Sequence, residues 1–167
     1  MEVFIIFSRR KRFNPLGWAI MKAQNLPYSH VCLLVKTEHA GLIYESVWPN
    51  ARVIDTVSWL KINNPWEYIK LPTPLEPAKV DKCLSSIIEN SRGYSFAQLF
   101  LNAIGLINSQ LNKWAGTVIL NHERYLICTE LVGRFLEETY NYNFGEHTDS
   151  LDLHDIHKAA DKIAGVE

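Results

Sequence analysis

"SHVCLLVKTEHAGLIYESVW", residues 29 to 48, decides how this chain is read. Two short β-rich runs, 29–35 and 42–48, flank the polar stretch "KTEHAG", the pattern of a β-hairpin. Each run holds one residue out of keeping with an apolar strand: His30 opens the first and Glu45 interrupts the second. With a turn around "KTEH", strands 30–35 and 40–45 pair and His30 stands directly opposite Glu45, their Cβ atoms about 5 Å apart. A one-residue slip sends Glu45 to the other face, so register decides whether the two meet. Two readings of His30 stand at this point. It is a hydrogen-bonded histidine closing a sheet end, or an imidazole held in one tautomer by a carboxylate so that its other nitrogen serves as a base. Glu38, His39 and Asp55 are alternative third partners.

Working outward, "EVFIIF" (2–7) reads as a buried strand and "RFNPLGWAIMKAQ" as a helix with Asn14 as N-cap and Pro15 at the first helical position. "ARVID" and "WEYIKL" predict two more strands, with "TVSWLKI" as a helical turn between them. After the breaker "PTPLEP", Val80, Cys83, Leu84, Ile87 and Ile88 recur at helical spacing, which predicts a helix over "AKVDKCLSSIIEN". "SFAQLFLNAIGLI" predicts a second helix, the stretch opening at Cys128 a third, and "SLDLHDIHKAADK" a short last one capped by Asp149 or Ser150. Strands early and helices late predict an α+β fold, a mainly antiparallel sheet packed against helices. The 167 residues hold no internal repeat and no low-complexity linker, and 1–167 is expected to be a single domain.

Composition narrows the function classes. A net charge of −1 gives no global attraction to nucleic acid or to an anionic surface. Three widely spaced cysteines with no CxxC pair make no disulfide framework and suit a reducing compartment. In "MEVFIIFSRRKRF" the charges follow the apolar run instead of preceding it, the wrong order for a secretory signal. "FAQLFLNAIGLI" is too short to span a bilayer. The expectation is a protein without a transmembrane segment, cytoplasmic by default or delivered by a route not encoded here, such as with a viral particle. Its oligomeric state is not legible.

"RYLICTELVGRFLEE" (124–138) sets Cys128 where strand or loop turns into helix. A reactive cysteine needs its pKa lowered, by a helix N-terminus, an imidazole, or both. Cys83 lies mid-helix on the apolar face and reads as core. Cys32 lies two residues from His30 on the same strand face, about 6.5–7 Å away, and reads as core as well. Cys128 shares its helix face with Leu131, Val132 and Phe135, which is the core reading again. It alone of the three also stands at a helix start, where unpaired amides and the dipole favour a thiolate.

Taken in order, "SHVCLLV", "YES", "GYSFAQLF", "ICTELVGRFLEE" and "SLDLHDI" resemble the circularly permuted papain-like hydrolases of the NlpC superfamily, in particular the YiiX/YebB-like branch. In that group histidine precedes cysteine, the reverse of ordinary papain-like enzymes, with the site geometry kept. The resemblance runs through nearly the whole chain in motif order. Two departures stand out. Thr129 occupies the place of the family's serine after the nucleophile, and "GY" lacks the spacer of the family's aromatic motif at Tyr94. The resemblance implies a permuted papain-like fold with Cys128 as nucleophile, His30 as general base and acid, and Glu45 orienting it. It further implies the backbone N–H of Cys128 and the Tyr94 hydroxyl as oxyanion donors, and no metal or organic cofactor. The activity implied is a cysteine hydrolase of amide or peptide bonds, such as those of a cell-wall peptide. The alternatives are a lipid or thioester acyl hydrolase or transferase on the same fold, and a catalytically silent binding module.

Two other features compete for function. His147, Asp149, His154 and His157 in "EHTDSLDLHDIHK" form a ligand-rich cluster, with His154 and His157 three apart on one helix face, but without a nearby cysteine. "RRKR" (9–12) is a basic run that suits phosphate on a nucleic acid or a lipid, though four charges in a balanced chain are usually a solvated loop. No nucleic-acid partner is expected. Trp48, Trp59, Trp66 and Trp114 either wall a pocket or pack.

Overall fold

The computed structural model describes residues 1–47, 49–73, 76–90, 127–145, 148 and 151–166. Five strands alternate early with short helices, and longer helices follow. They are β1 (Glu2–Arg10), α1 (Pro15–Gln24), β2 (His30–Lys36), β3 (Gly41–Val47), β4 (Asn50–Asp55), α2 (Thr56–Ile62) and β5 (Asn63–Lys70). After them come α3 (Pro77–Asn90), α4 (Cys128–Tyr140) and α5 (Leu153–Ala164). The strands form one antiparallel sheet in the order β4-β3-β2-β1-β5. The class is therefore α+β with helices packed on an antiparallel sheet. The expected helix over "SFAQLFLNAIGLI" lies outside the described residues.

Side-chain alternation sorts the sheet into two faces. Val3, Ile5, Phe7, Val31, Leu33 and Val35 are buried in the main core, with Leu84, Leu131, Val132, Phe135 and Ile156 from α3, α4 and α5. Ile6, Cys32, Leu34 and Ile43 turn the other way and bury with Trp59 of α2. Both faces of β1 and β2 are thus covered, which is why these strands read as nearly continuous apolar runs rather than alternating ones. Pro65, which cannot donate to a ladder, sits on the edge strand β5, where the pairing with β1 shifts between Phe7 and Ser8.

Local chemistry sets the helix starts. Asn14 accepts from the Leu16 amide ahead of Pro15, and Asp55 caps α2 by accepting from the Ser58 amide at 2.9 Å. Helix α5 begins later than the sequence predicts, with Asp152 as its cap in place of Asp149 or Ser150. Asp152 accepts from the amides of His154 and Asp155, and the Asp155 carboxylate accepts from the Asp152 amide at 3.0 Å. That reciprocal box needs an acid three residues after the cap, which Asp155 supplies to Asp152. Two glycines permit close packing. A Cβ at Gly133 would lie 2.7 Å from Leu151, and one at Gly17 would lie 2.9 Å from the Ser29 hydroxyl.

No helix among the described residues is long and apolar enough to cross a membrane.

Phe135 is 0% exposed on the inner face of α4, whereas Phe13 is 80% exposed. Phe135→Ala should lower the unfolding free energy by about 3–5 kcal/mol, because it removes buried surface and leaves a cavity. Phe13→Ala should change it by less than about 0.5 kcal/mol. Urea denaturation of the two variants checks the contrast, and equal losses would contradict this core.

Candidate active site

The hairpin at β2 and β3 forms with a different register from the expected one. Leu33 pairs with Tyr44 and Lys36 with Gly41, so the pairing is offset by two residues from one that sets His30 against Glu45. The reason lies in the turn. The Thr37 hydroxyl accepts from the amides of His39 and Ala40, and the Thr37 amide donates to the Ala40 carbonyl at 2.8 Å, which closes the turn over 37–40. Because the offset is even, Glu45 keeps the same face as His30. The two become diagonal neighbours, a separation that long side chains can bridge. The His30 imidazole does so, with Nε2 2.9 Å from Glu45 Oε2.

Glu45 is 0% exposed, and its carboxylate takes two further partners. Arg52, its cross-strand partner on β4, donates to Oε1 from Nε at 2.9 Å and from Nη2 at 2.6 Å. The indole N–H of Trp59 donates to Oε2 at 2.9 Å. Burial alone would raise this carboxyl, but the bonds from His30, Arg52 and Trp59 and the imidazolium charge hold it down to about 2.

The registered pairing of β2 with β3 ends at Leu33 and Tyr44, although β2 starts at His30 and β3 runs to Val47. The N-terminus of α4 meets this end of β2. Cys128 is 5% exposed there, and its thiol is acted on by the His30 imidazole and by the backbone amides of Val31 and Thr129. The helix has an extended, apolar N-cap residue, Ile127, with no side-chain capping bond. The Thr129 amide, of the kind a Ser or Asp cap ordinarily serves, favours a negative charge on the sulfur, as the dipole there does.

Burial raises the Cys128 thiol, but the hydrogen bond and charge of His30 and the two amides outweigh it and bring it below its ordinary value. Burial likewise pushes the His30 imidazole down, against hydrogen bonds and charge from Cys128 and Glu45 that raise it to about 9. The two shifts have one cause: each group stabilises the charged form of the other. With Nε2 committed to Glu45, Nδ1 is the nitrogen left for the sulfur. Thiol, imidazole and carboxylate therefore form one chain of contacts, able to hold a thiolate beside an imidazolium.

The remaining candidates fall elsewhere. Cys32 is fully buried in the smaller core, and burial with the charges of Glu45 and Cys128 keeps its thiol protonated. Cys83 lies in the main core, its thiol pushed up to about 12 by burial and the Glu138 charge. Glu38 and His39 are exposed in the turn at the far end of the hairpin, and Asp55 is committed to capping α2. Tyr94, His147, Asp149, Trp48 and Trp114 lie outside the described residues. His154 reaches the Gln24 carbonyl at 3.0 Å, while His157 lies between Glu67 and Asp161 at 2.8 and 3.0 Å, so the two engage different partners. Among the described residues, the ligand atoms grouped closely enough to hold a metal are those of His30, Cys32 and Glu45, all within 4.8 Å. Glu45 there already accepts four bonds, and a protonated Cys32 is a poor ligand.

Sequence reading misses Arg52 and the polar role of Trp59. A lone arginine in the short run "ARVID" just after "YES" is the signal for the first; nothing local signals the second. Ser8 is missed as well. It pairs with His30 across β1 and β2, fully buried, its hydroxyl without a hydrogen-bond partner among the described residues. Trp66 is 57% exposed and stands away from the Glu45 cluster that Trp59 joins.

No protein-family model matches this chain, and comparison with curated proteins finds no match either.

Two outcomes follow from the electrostatics. Cys128 should be alkylated by iodoacetamide at pH values where an ordinary thiol is protonated, while Cys83 stays unmodified. In His30→Ala only the two amides still oppose burial, so the thiolate step, read by ultraviolet absorbance, should move up from its position in the parent; an unchanged step would break the pairing. Glu45, lowered from 4.5 to about 2, contributes stability that is complete above 4.5 and lost as pH falls through about 2. That contribution is about 3 kcal/mol, from the size of the shift. Urea midpoints should therefore fall with acid in the parent and depend less on pH over this range in Glu45→Gln.

Proposed function

We propose that this chain is a cysteine hydrolase that works by acyl transfer through a thioester on Cys128. The observation that carries the reading is the mutual stabilisation of charge between Cys128 and the His30 imidazole, whose Nε2 is in turn 2.9 Å from the buried Glu45 carboxylate. The order of these residues along the chain and their antiparallel sheet support a permuted papain-like fold of the NlpC type, as the resemblance of the motifs implies.

The thiolate attacks a carbonyl carbon, and the carbonyl electron pair moves onto oxygen. The backbone N–H of Cys128 at the start of α4 is the donor for that oxyanion, and the Tyr94 hydroxyl is the second donor in this reading. As the tetrahedral species collapses, His30 gives its proton to the departing nitrogen or oxygen, leaving a thioester and a neutral imidazole. Neutral His30 then takes a proton from water as the oxygen attacks the thioester. The acid leaves and the thiolate–imidazolium pair is restored. Glu45, fixed by Arg52 and Trp59, keeps the imidazole in one orientation and stabilises its cationic form through both steps. No redox or metal step enters.

The substrate class proposed is an amide or peptide bond, such as one in a cell-wall peptide. An acyl ester or thioester on the same site gives the related hydrolase or transferase. A silent binding module is the competing reading, and the observation in its favour is that Cys128 is only 5% exposed.

Labelling with a thiol-directed acyl probe, followed by turnover on a panel of peptide, ester and thioester substrates, separates these. Cys128→Ala and His30→Ala should each abolish labelling and turnover with the circular dichroism spectrum unchanged. Glu45→Gln should lose less than the roughly 10²–10⁴-fold that general acid–base catalysis supplies. Cys83→Ala should turn over at the parent rate. A parent protein that neither labels nor turns over, with Cys128 intact, is the silent module.

A further inference from the structure

Beside the His30 end of the sheet lies a cleft of about 340 Å³ that the cysteine chemistry does not use. Arg9, Arg10, Lys11 and Arg12 line it, with Phe13 and Trp18, and none of its lining residues is acidic. We propose that this cleft is the docking point for an anionic phospholipid surface.

Charge complementarity is the first support. Four consecutive cations leave the end of β1 and turn into α1, and among the described residues none of them enters an ion pair. Arg9, Lys11 and Arg12 are exposed. Cations at an anionic surface each strengthen partitioning by about fivefold, so the four act together.

The second support is the apolar component. Phe13 is 80% and Trp18 52% exposed, next to the cations rather than turned into the core. Aromatic rings flanked by lysine and arginine side chains suit the boundary between headgroups and acyl chains. The whole chain carries a net charge of −1, so an extended polyanion would meet repulsion beyond the patch, whereas a flat lipid surface meets this face alone.

Position is the third support. Ser29, which lines the cleft, directly precedes His30, and Arg9 directly follows Ser8, the strand partner of His30. The close approach of Gly17 to Ser29 seats the first turns of α1 over this strand start. Docking here brings the end of the sheet that holds His30 toward the lipid. Binding itself does not require Cys128 to be catalytic.

Co-sedimentation tests the inference, using phosphatidylcholine vesicles with and without about one third phosphatidylglycerol, and a single-stranded oligothymidine held on beads at the same salt. The full chain should pellet with the anionic vesicles and not with the neutral ones or the oligonucleotide. The double variant Arg10→Glu, Lys11→Glu should bind the anionic vesicles at least about tenfold more weakly, and Trp18→Ala should also bind more weakly. If the charge reversal fails to fold, Lys11→Gln with Arg12→Gln, both on exposed residues, reads the same effect. Cys128→Ser should bind as the parent does, which separates failure of this inference from failure of the hydrolase reading. Equal binding to both vesicle types, insensitivity to the charge changes, or capture of the oligonucleotide in place of the vesicles would each overturn it.

Discussion

A carboxylate with no exposed surface has to find its hydrogen bonds inside the protein, and Glu45 finds them from three elements at once. His30 comes from β2, Arg52 from β4 and Trp59 from α2. Leaving such a charge unpaired costs several kcal/mol, so any arrangement that loses one of these partners is penalised heavily. The requirement therefore reaches well beyond the carboxylate. It favours the register of β3 against β4 that sets Arg52 across from Glu45, the seating of α2 that aims the indole N–H, and the rotamer of the imidazole. The same bonds that keep the carboxyl ionised keep His30 inclined to hold a proton.

That inclination is passed on to the sulfur. Where a helix normally begins with a hydroxyl or carboxylate cap, α4 begins after Ile127, and its second amide lowers the Cys128 thiol. An anionic sulfur accepts from an amide better than a neutral one, so the helix start and the imidazolium pull the thiol in the same direction. Burial opposes both and is outweighed. The contrast with Cys32 and Cys83 isolates the cause: all three thiols are buried, and only the one acted on by the His30 imidazole and backbone amides is lowered.

The site and the basic cleft occupy the same end of the sheet. β1 carries Ser8 opposite His30 and then runs directly into Arg9 to Arg12, while α1 folds back over Ser29. A chain of net charge −1 has thus gathered a cationic run, without an ion pair among the described residues, at the end of the sheet that holds His30. The close approach of Gly17 to Ser29 packs α1 against the residue that precedes His30.

Much of this architecture is legible in the sequence, because periodicity and turn chemistry are local. The short apolar runs in 2–7 and 29–48, the Asn14–Pro15 helix start and the recurrence of Val80, Cys83, Leu84 and Ile87 each depend on neighbours a few residues away. The two misfits in the hairpin, His30 and Glu45, and the cysteine at a helix start are visible for the same reason. The start of α5 is not, since Asp149, Ser150 and Asp152 are all good caps, and only the reciprocal bond with Asp155 selects among them. The two-residue offset of the hairpin is likewise set by the Thr37 hydroxyl closing the turn, a choice between near-equal registers that alternation alone leaves open. Arg52 and Trp59 converging on one carboxylate, and a sulfur from residue 128 meeting an imidazole from residue 30, belong to tertiary structure alone. Pairing across such distances in sequence is decided by which packing buries the apolar faces while satisfying every buried charge, and no local pattern encodes that balance.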